Sequence, residues 1–179
     1  MAMTDDEQIE IMFHRGAKMA YSITTRAMRQ VGISGKQYPE LCILSEKEIG
    51  IGTIASYSPI DNRIYVTRSL ADPKRTVQTQ QASGIYACPE HPDSSMLHEM
   101  QHYKDALIYR KNGGEIKDKD DYIEYLNYLE SNYKIKLEKI GVNAQTVSNI
   151  SEYARDKYDT REYDEVYAEY IVKYILTRK

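Results

Sequence analysis

Apolar positions recur at helical spacing at both ends of the chain and at strand-like spacing between them. Ile9, Phe13, Ala17, Ala20, Ile23, Ala27 and Val31 fall three or four residues apart, which predicts one long helix within 1–32. Thr4 with Glu7 forms a capping box at its start, and Gly32 and Gly35 stop it. A short apolar run follows at Leu41, Cys42, Ile43 and Leu44. Residues 50–57 and 63–67 are rich in β-branched and aromatic types on either side of Ser58-Pro59-Ile60-Asp61-Asn62. That pattern predicts a hairpin, and strands over 40–68 as a whole. Pro73, Ser83-Gly84 and Pro89 interrupt 68–90, which reads as a loop with at most one short helix.

Helical spacing then returns. Pro92 suits a first helical turn and Asp93 the positive N-terminal end. Met96, Leu97, Met100, Tyr103, Ala106 and Leu107 keep the period up to Gly113-Gly114. Tyr122, Leu126, Leu129, Tyr133 and Leu137 mark a second helix that stops near Gly141. A third covers about 147–158 and a last one about 162–176. No repeat or Pro/Gly-rich linker divides the chain, so 1–179 reads as a single α+β domain with its helical part at 92–179.

Composition narrows the function classes. The net charge of -3 lacks the basic excess that phosphate binding needs, which argues against nucleic acid as a partner. No apolar run approaches the ~20 residues of a membrane span. The acidic start MAMTDDEQ carries no basic region followed by an apolar stretch, so no secretory signal is read. Cys42 and Cys88 make no disulfide framework. Together these predict a cytoplasmic protein, with virion association or a non-classical export route as alternatives. The 17 Tyr against one Phe and no Trp place phenols where Phe and Leu usually stand, on half-buried helix faces whose hydroxyls reach water.

The chemistry sits at His98-Glu99-Met100-Gln101-His102. Histidines four apart share one helix face, a turn apart, so both imidazoles reach one cation. Glu99, on a neighbouring part of that face, can hold a water rather than the cation. Zinc lowers the pKa of its water to about 7, and the carboxylate takes the proton as the oxygen attacks a carbonyl.

A third ligand is offered near the C-terminus by Glu165-Val166-Tyr167-Ala168-Glu169. Carboxylates at i and i+4 repel on a bare helix. Here they share a stripe with Ala168 and Val172 on an otherwise apolar helix, which is tolerable if a positive charge sits beside them. Glu165 then completes the ligand set, and Glu169 accepts the free N–H of a metal-bound imidazole and fixes its tautomer. The competing reading is an acidic solvated face continuing Glu162 and Asp164. Two His and one Glu with an open position are a usual catalytic zinc set; cobalt or nickel can substitute in vitro.

HEMQHYKDA at 98–106 is similar to the HExGHxxD pattern, and EVYAE at 165–169 to the E-x-x-A-E pattern, of the lethal-factor-type zincins. That gluzincin group includes many metallopeptidases encoded by phages and mobile elements. The resemblance covers about 50–179. It implies that His98, His102 and Glu165 bind zinc, that Glu99 is catalytic, and that Asp105 and Glu169 support the histidines. It also implies a zincin-like fold in which an edge strand above the metal pairs with an extended protein or peptide substrate. The group carries an oxyanion-stabilising Tyr upstream of its third ligand; Tyr153 fits the local wording and Tyr158, seven residues before Glu165, fits the spacing. Gln101 departs from the usual Gly before the second histidine, which predicts altered backbone spacing at the site.

Cys88 and His91 lie just before this helix, and without a second pair they read as ordinary loop residues. The functional expectation is a zinc endopeptidase. Its alternatives are a non-catalytic, virion-associated zinc protein of the same fold, and an effector protease of narrow specificity.

Overall fold

The computed structural model describes residues 5–34 and 37–178, with side chains from residue 16 onward. The expected Thr4–Glu7 capping box, the side chains of Ile9 and Phe13, and the stop at Gly35 lie outside the described residues. Helix α1 spans Asp5–Gln30. Ala20, Ile23, Ala27, Met28 and Val31 are buried, at the spacing the sequence predicts. Gly32 ends the helix with φ of 82°, a conformation that costs glycine nothing.

Three strands form the sheet: β1 (Glu40–Leu44), β2 (Ala55–Ser58) and β3 (Arg63–Thr67). Their order is β1-β3-β2, with β1 parallel and β2 antiparallel to β3. The predicted hairpin is present, but its first strand begins at Ala55 rather than at residue 50. Gly50 and Gly52 have φ of 111° and 87°, which takes them out of extended backbone. A single helical turn, α2 (Glu46–Ile49), fills part of that gap. Ser45 donates from both its N–H and Oγ to Glu48 Oε2, at 2.8 and 2.7 Å.

The stretch 68–90, expected to be loop with at most one short helix, is mostly helical and contains one helix and a 3-10 turn. A 3-10 turn at Arg68–Ala71 leads into α3 (Pro73–Ser83). Pro73, read as an interruption, instead opens α3. Asp72 Oδ1 caps the helix by accepting from Lys74 N and Arg75 N at 3.0 and 3.2 Å, and proline is well placed in a first turn, where its missing N–H has no partner to lose. Conversely, Pro92 lies outside α4 (Ser94–Lys111). The carboxylate of Asp93 does not cap that helix, because Arg26 of α1 claims it: Arg26 Nε donates to Asp93 Oδ2 at 2.8 Å.

Helix α4 is the central strut. Met96, Leu97, Met100, Tyr103 and Ala106 are 0–2% exposed, and burying one such large apolar side chain contributes about 1.5–3 kcal/mol. Two further helices are α5 (Lys119–Lys139) and α7 (Tyr163–Thr177); α7 packs against α4 and α5 against α7. Tyr125, Leu129, Tyr133 and Leu137 form the buried stripe of α5. The expected helix over 147–158 is split. Val147–Asn149 is a 3-10 turn and α6 covers Glu152–Asp159, because Ser151 Oγ accepts from Ala154 N at 3.0 Å and starts a new helix. The architecture is α+β, seven helices with a small three-stranded sheet among the described residues. No described helix is long and apolar enough to cross a membrane.

Candidate metal centre

Helices α4 and α7 run antiparallel, so that His98 faces Glu169 and His102 faces Glu165. Alternation along both helices turns these four residues toward each other while Met100 and Val166 fill the core. His98 Nε2 lies 3.0 Å from His102 Nε2 and 3.1 Å from Glu165 Oε2, and His102 Nε2 lies 3.3 Å from Glu165 Oε1. Among the described residues this is the one group of three or more His, Cys, Asp or Glu side chains able to hold a metal ion. Residues more than sixty positions apart in sequence meet, as the sequence predicts.

The donor set fits zinc. A tetrahedral ion with bonds of about 2.0–2.1 Å needs neighbouring donors about 3.3 Å apart, close to the separations present. His98 Nδ1 is 2.8 Å from Glu169 Oε1. The carboxylate can only accept, so Nδ1 carries the proton and Nε2 turns its lone pair into the site. Glu169 is fully buried, which makes it the fixed partner that the sequence assigns. Tyr153 donates from its hydroxyl to Glu165 Oε2 at 2.9 Å.

Electrostatics agree with a cation. Burial pushes the imidazoles down, but facing carboxylates overcome it. Glu165 and Glu169 hold His98 well above its ordinary value, and Glu165 lifts His102 to about 9. Glu165 would rise on burial, yet His102 and His98 pull it below the usual carboxylate range. The facing carboxylates thus favour positive charge at the two imidazoles. A divalent ion supplies such charge to all three donors together.

Glu99 is half-buried beside the ligand group, and burial raises it, opposed by His98, His102 and the backbone N–H of Tyr57. That N–H donates to Glu99 Oε2 at 2.8 Å. Tyr57 belongs to β2, one of the two edge strands, so the hairpin and the helix carrying Glu99 are joined at the site. At its far end α4 grips the same hairpin: Arg110 donates to Tyr57 Oη at 3.2 Å and Asn62 Oδ1 at 2.9 Å. A cleft of about 270 Å³ opens over His98, His102 and Glu165, walled by β2 and by Tyr122, Leu126 and Tyr153.

Two expected roles are corrected. Asp105 makes no hydrogen bond to either imidazole. It is buried and accepts from the Tyr133 hydroxyl and from Gln101 Nε2, the latter at 2.8 Å; burial, partly offset by Tyr133, raises it to about 6. The acid facing His102 is instead Asp164, with Oδ2 3.8 Å from Nδ1. Its adjacency to Glu165 on α7 is the sequence signal that points to it. Tyr158 packs edge-on against Tyr163, ring centroids 5.3 Å apart, and does not line the cleft. Of the two phenols, the structure brings only Tyr153 to the ligand group.

Gln101 occupies the expected glycine position without breaking α4. Its side chain points away from the ligands, to Asp105 and to the Tyr133 hydroxyl at 3.3 Å. Cys88 and His91 stay apart from the group, as read; Asp93 N donates to His91 Nδ1 at 3.2 Å. Sequence reasoning missed Tyr86, a buried ring edge-on to His98, with centroids 6.0 Å apart and planes at 87°. Burial and the carboxylates of Glu99, Glu169 and Glu165 push its phenol up. Nothing in the sequence separates it from sixteen other tyrosines. No family model, curated protein or solved structure matches the chain.

Proposed function

We propose that the protein is a zinc-dependent endopeptidase of zincin-like fold. The observation that carries this reading is the convergence of His98, His102 and Glu165 at 3.0–3.3 Å, with an independent carboxylate, Glu99, beside them and an edge strand at the rim. A closed structural zinc site takes four protein ligands, whereas three ligands facing a cleft leave a position for water or substrate.

His98, His102 and Glu165 would hold the ion, which supplies Lewis acidity and a water acidic enough to lose its proton near neutral pH. The remaining work falls to the chain. Glu169 fixes a proton on Nδ1 of His98, so that Nε2 is the nitrogen turned to the ion. The N–H of Tyr57 orients the Glu99 carboxylate, which accepts the proton of the attacking water and passes it to the leaving amine. Strand β2 pairs with β3 on one side only, so the outward backbone groups of its other side, apart from the Tyr57 N–H held by Glu99, can pair with an extended peptide. Tyr122, Leu126 and Tyr153 close the cleft around the scissile bond and displace water from it.

The test is Glu99→Gln against a peptide library, with zinc measured in both proteins. Wild type is expected to cleave, and the variant to keep its zinc and lose about 10³–10⁴-fold in turnover, the scale of a general base. Equal zinc with no cleavage by either protein would favour the non-catalytic zinc-binding alternative.

A further inference from the structure

The cleft contains two phenols, and only one is spent. Tyr153 commits its hydroxyl to Glu165 Oε2 at 2.9 Å. Tyr86 lines the same cleft next to His98 and Glu99. Its side chain has no hydrogen-bond partner among the described residues, although the residue is only 8% exposed. The hydroxyl keeps some access, since it is not among the fully enclosed side-chain atoms that lack a partner, and the surface its residue borders is the cleft. A hydroxyl left open toward a cleft, beside the group expected to act on a carbonyl, lacks an acceptor that a ligand can bring.

Tyr86 is also held in place. Gly84 closes α3 in the left-handed region at φ of 69°, and the chain then turns back along α4. Gln80, itself fully buried, ties this segment down. Its Nε2 donates to the carbonyls of Pro89 and His91 at 3.1 and 2.8 Å, and its Oε1 accepts from Ser95 N at 3.0 Å. Ser94 Oγ adds a bond to the Cys88 carbonyl. A donor so fixed needs no reorganisation when charge develops in front of it.

Resting on the hydrolase reading above, we infer that Tyr86 is a catalytic residue. Its O–H donates to the substrate carbonyl oxygen as that oxygen gathers negative charge. This takes the role from Tyr153 and Tyr158, the two alternatives that the resemblance implies for it. Tyr153 acts on the ligand Glu165 instead, holding its carboxylate toward the histidines. No bond to Tyr86 is made or broken; the phenol keeps its proton throughout.

Tyr86→Phe removes one oxygen and keeps the ring against His98. Zinc content, turnover and affinity for a phosphinic Ala–Ala pseudodipeptide, whose phosphinate mimics the tetrahedral oxyanion, are measured on wild type, Tyr86→Phe and Tyr153→Phe. Tyr86→Phe is expected to retain full zinc, to lose about 100-fold in kcat with little change in KM, and to bind the phosphinate weaker by a similar factor. Tyr153→Phe is expected to lose zinc more readily on dialysis. Wild-type turnover and phosphinate affinity in Tyr86→Phe overturn the inference while the hydrolase reading stands, and so does a loss of zinc, which marks a packing role. A zinc-loaded wild type that neither cleaves nor binds the phosphinate overturns the hydrolase reading, and the role of Tyr86 with it.

Discussion

Helix α4 carries two buried polar clusters within two turns of each other, and they are satisfied in opposite ways. One is Gln101, Asp105 and Tyr133; the other is His98, His102 and Glu165. In the first, the amide and phenol supply N–H and O–H donors, and Asp105 Oδ1 receives both. In the second, two imidazole nitrogens and a carboxylate turn lone pairs toward one point. A cluster furnished with donors ties helices together without a cation, although Asp105 Oδ2 is left without a partner. A cluster of acceptors needs protons or a cation, and a cleft lets the cation in. The first cluster is buried and the second borders the cleft; the balance of donors to acceptors is what further separates them.

That contrast can be broken by trimming one partner from each cluster. Glu169→Gln weakens the acceptor behind His98, and zinc affinity is expected to fall 10–100-fold in a competition titration against a chromogenic chelator. Folding measured on the metal-free protein should change far less. Tyr133→Phe removes a donor from Asp105 and is expected to cost about 1–3 kcal/mol of folding stability, read from the urea midpoint. Zinc affinity should stay within about threefold of wild type, because no bond of that cluster reaches the ligands. A Tyr133→Phe protein that lost zinc as readily as Glu169→Gln would merge the two clusters into one.

The sequence carried the ligand group because its parts obey local rules. Histidines four apart must share a helix face, and a pair of carboxylates on an apolar helix demands a positive neighbour. The helix bearing Tyr125, Leu129, Tyr133 and Leu137 was legible for the same reason, since its period is unbroken. Signals that depend on which rule wins locally were misread. Asp72-Pro73 is a cap followed by a first-turn proline, yet the proline was read as an interruption. Asp93 had the position of a cap and was taken by Arg26, 67 residues away. The resemblance gives Asp105 a supporting role beside the histidines, but its place on α4 puts that carboxylate against Tyr133 of α5, and the acid facing His102 is Asp164 of α7. Tyr86 left no trace, because its place is set by the loop that Gln80 pins, a tertiary arrangement with no period or spacing.

The central claim is that the acceptor cluster holds zinc, and metal analysis of the purified protein tests it most directly. After dialysis against a weak chelator and reconstitution, wild type is expected to hold about one zinc per chain, and Glu165→Ala close to none while remaining folded by circular dichroism. A wild type that takes up no zinc, or a folded Glu165→Ala protein that keeps as much as wild type, would contradict it.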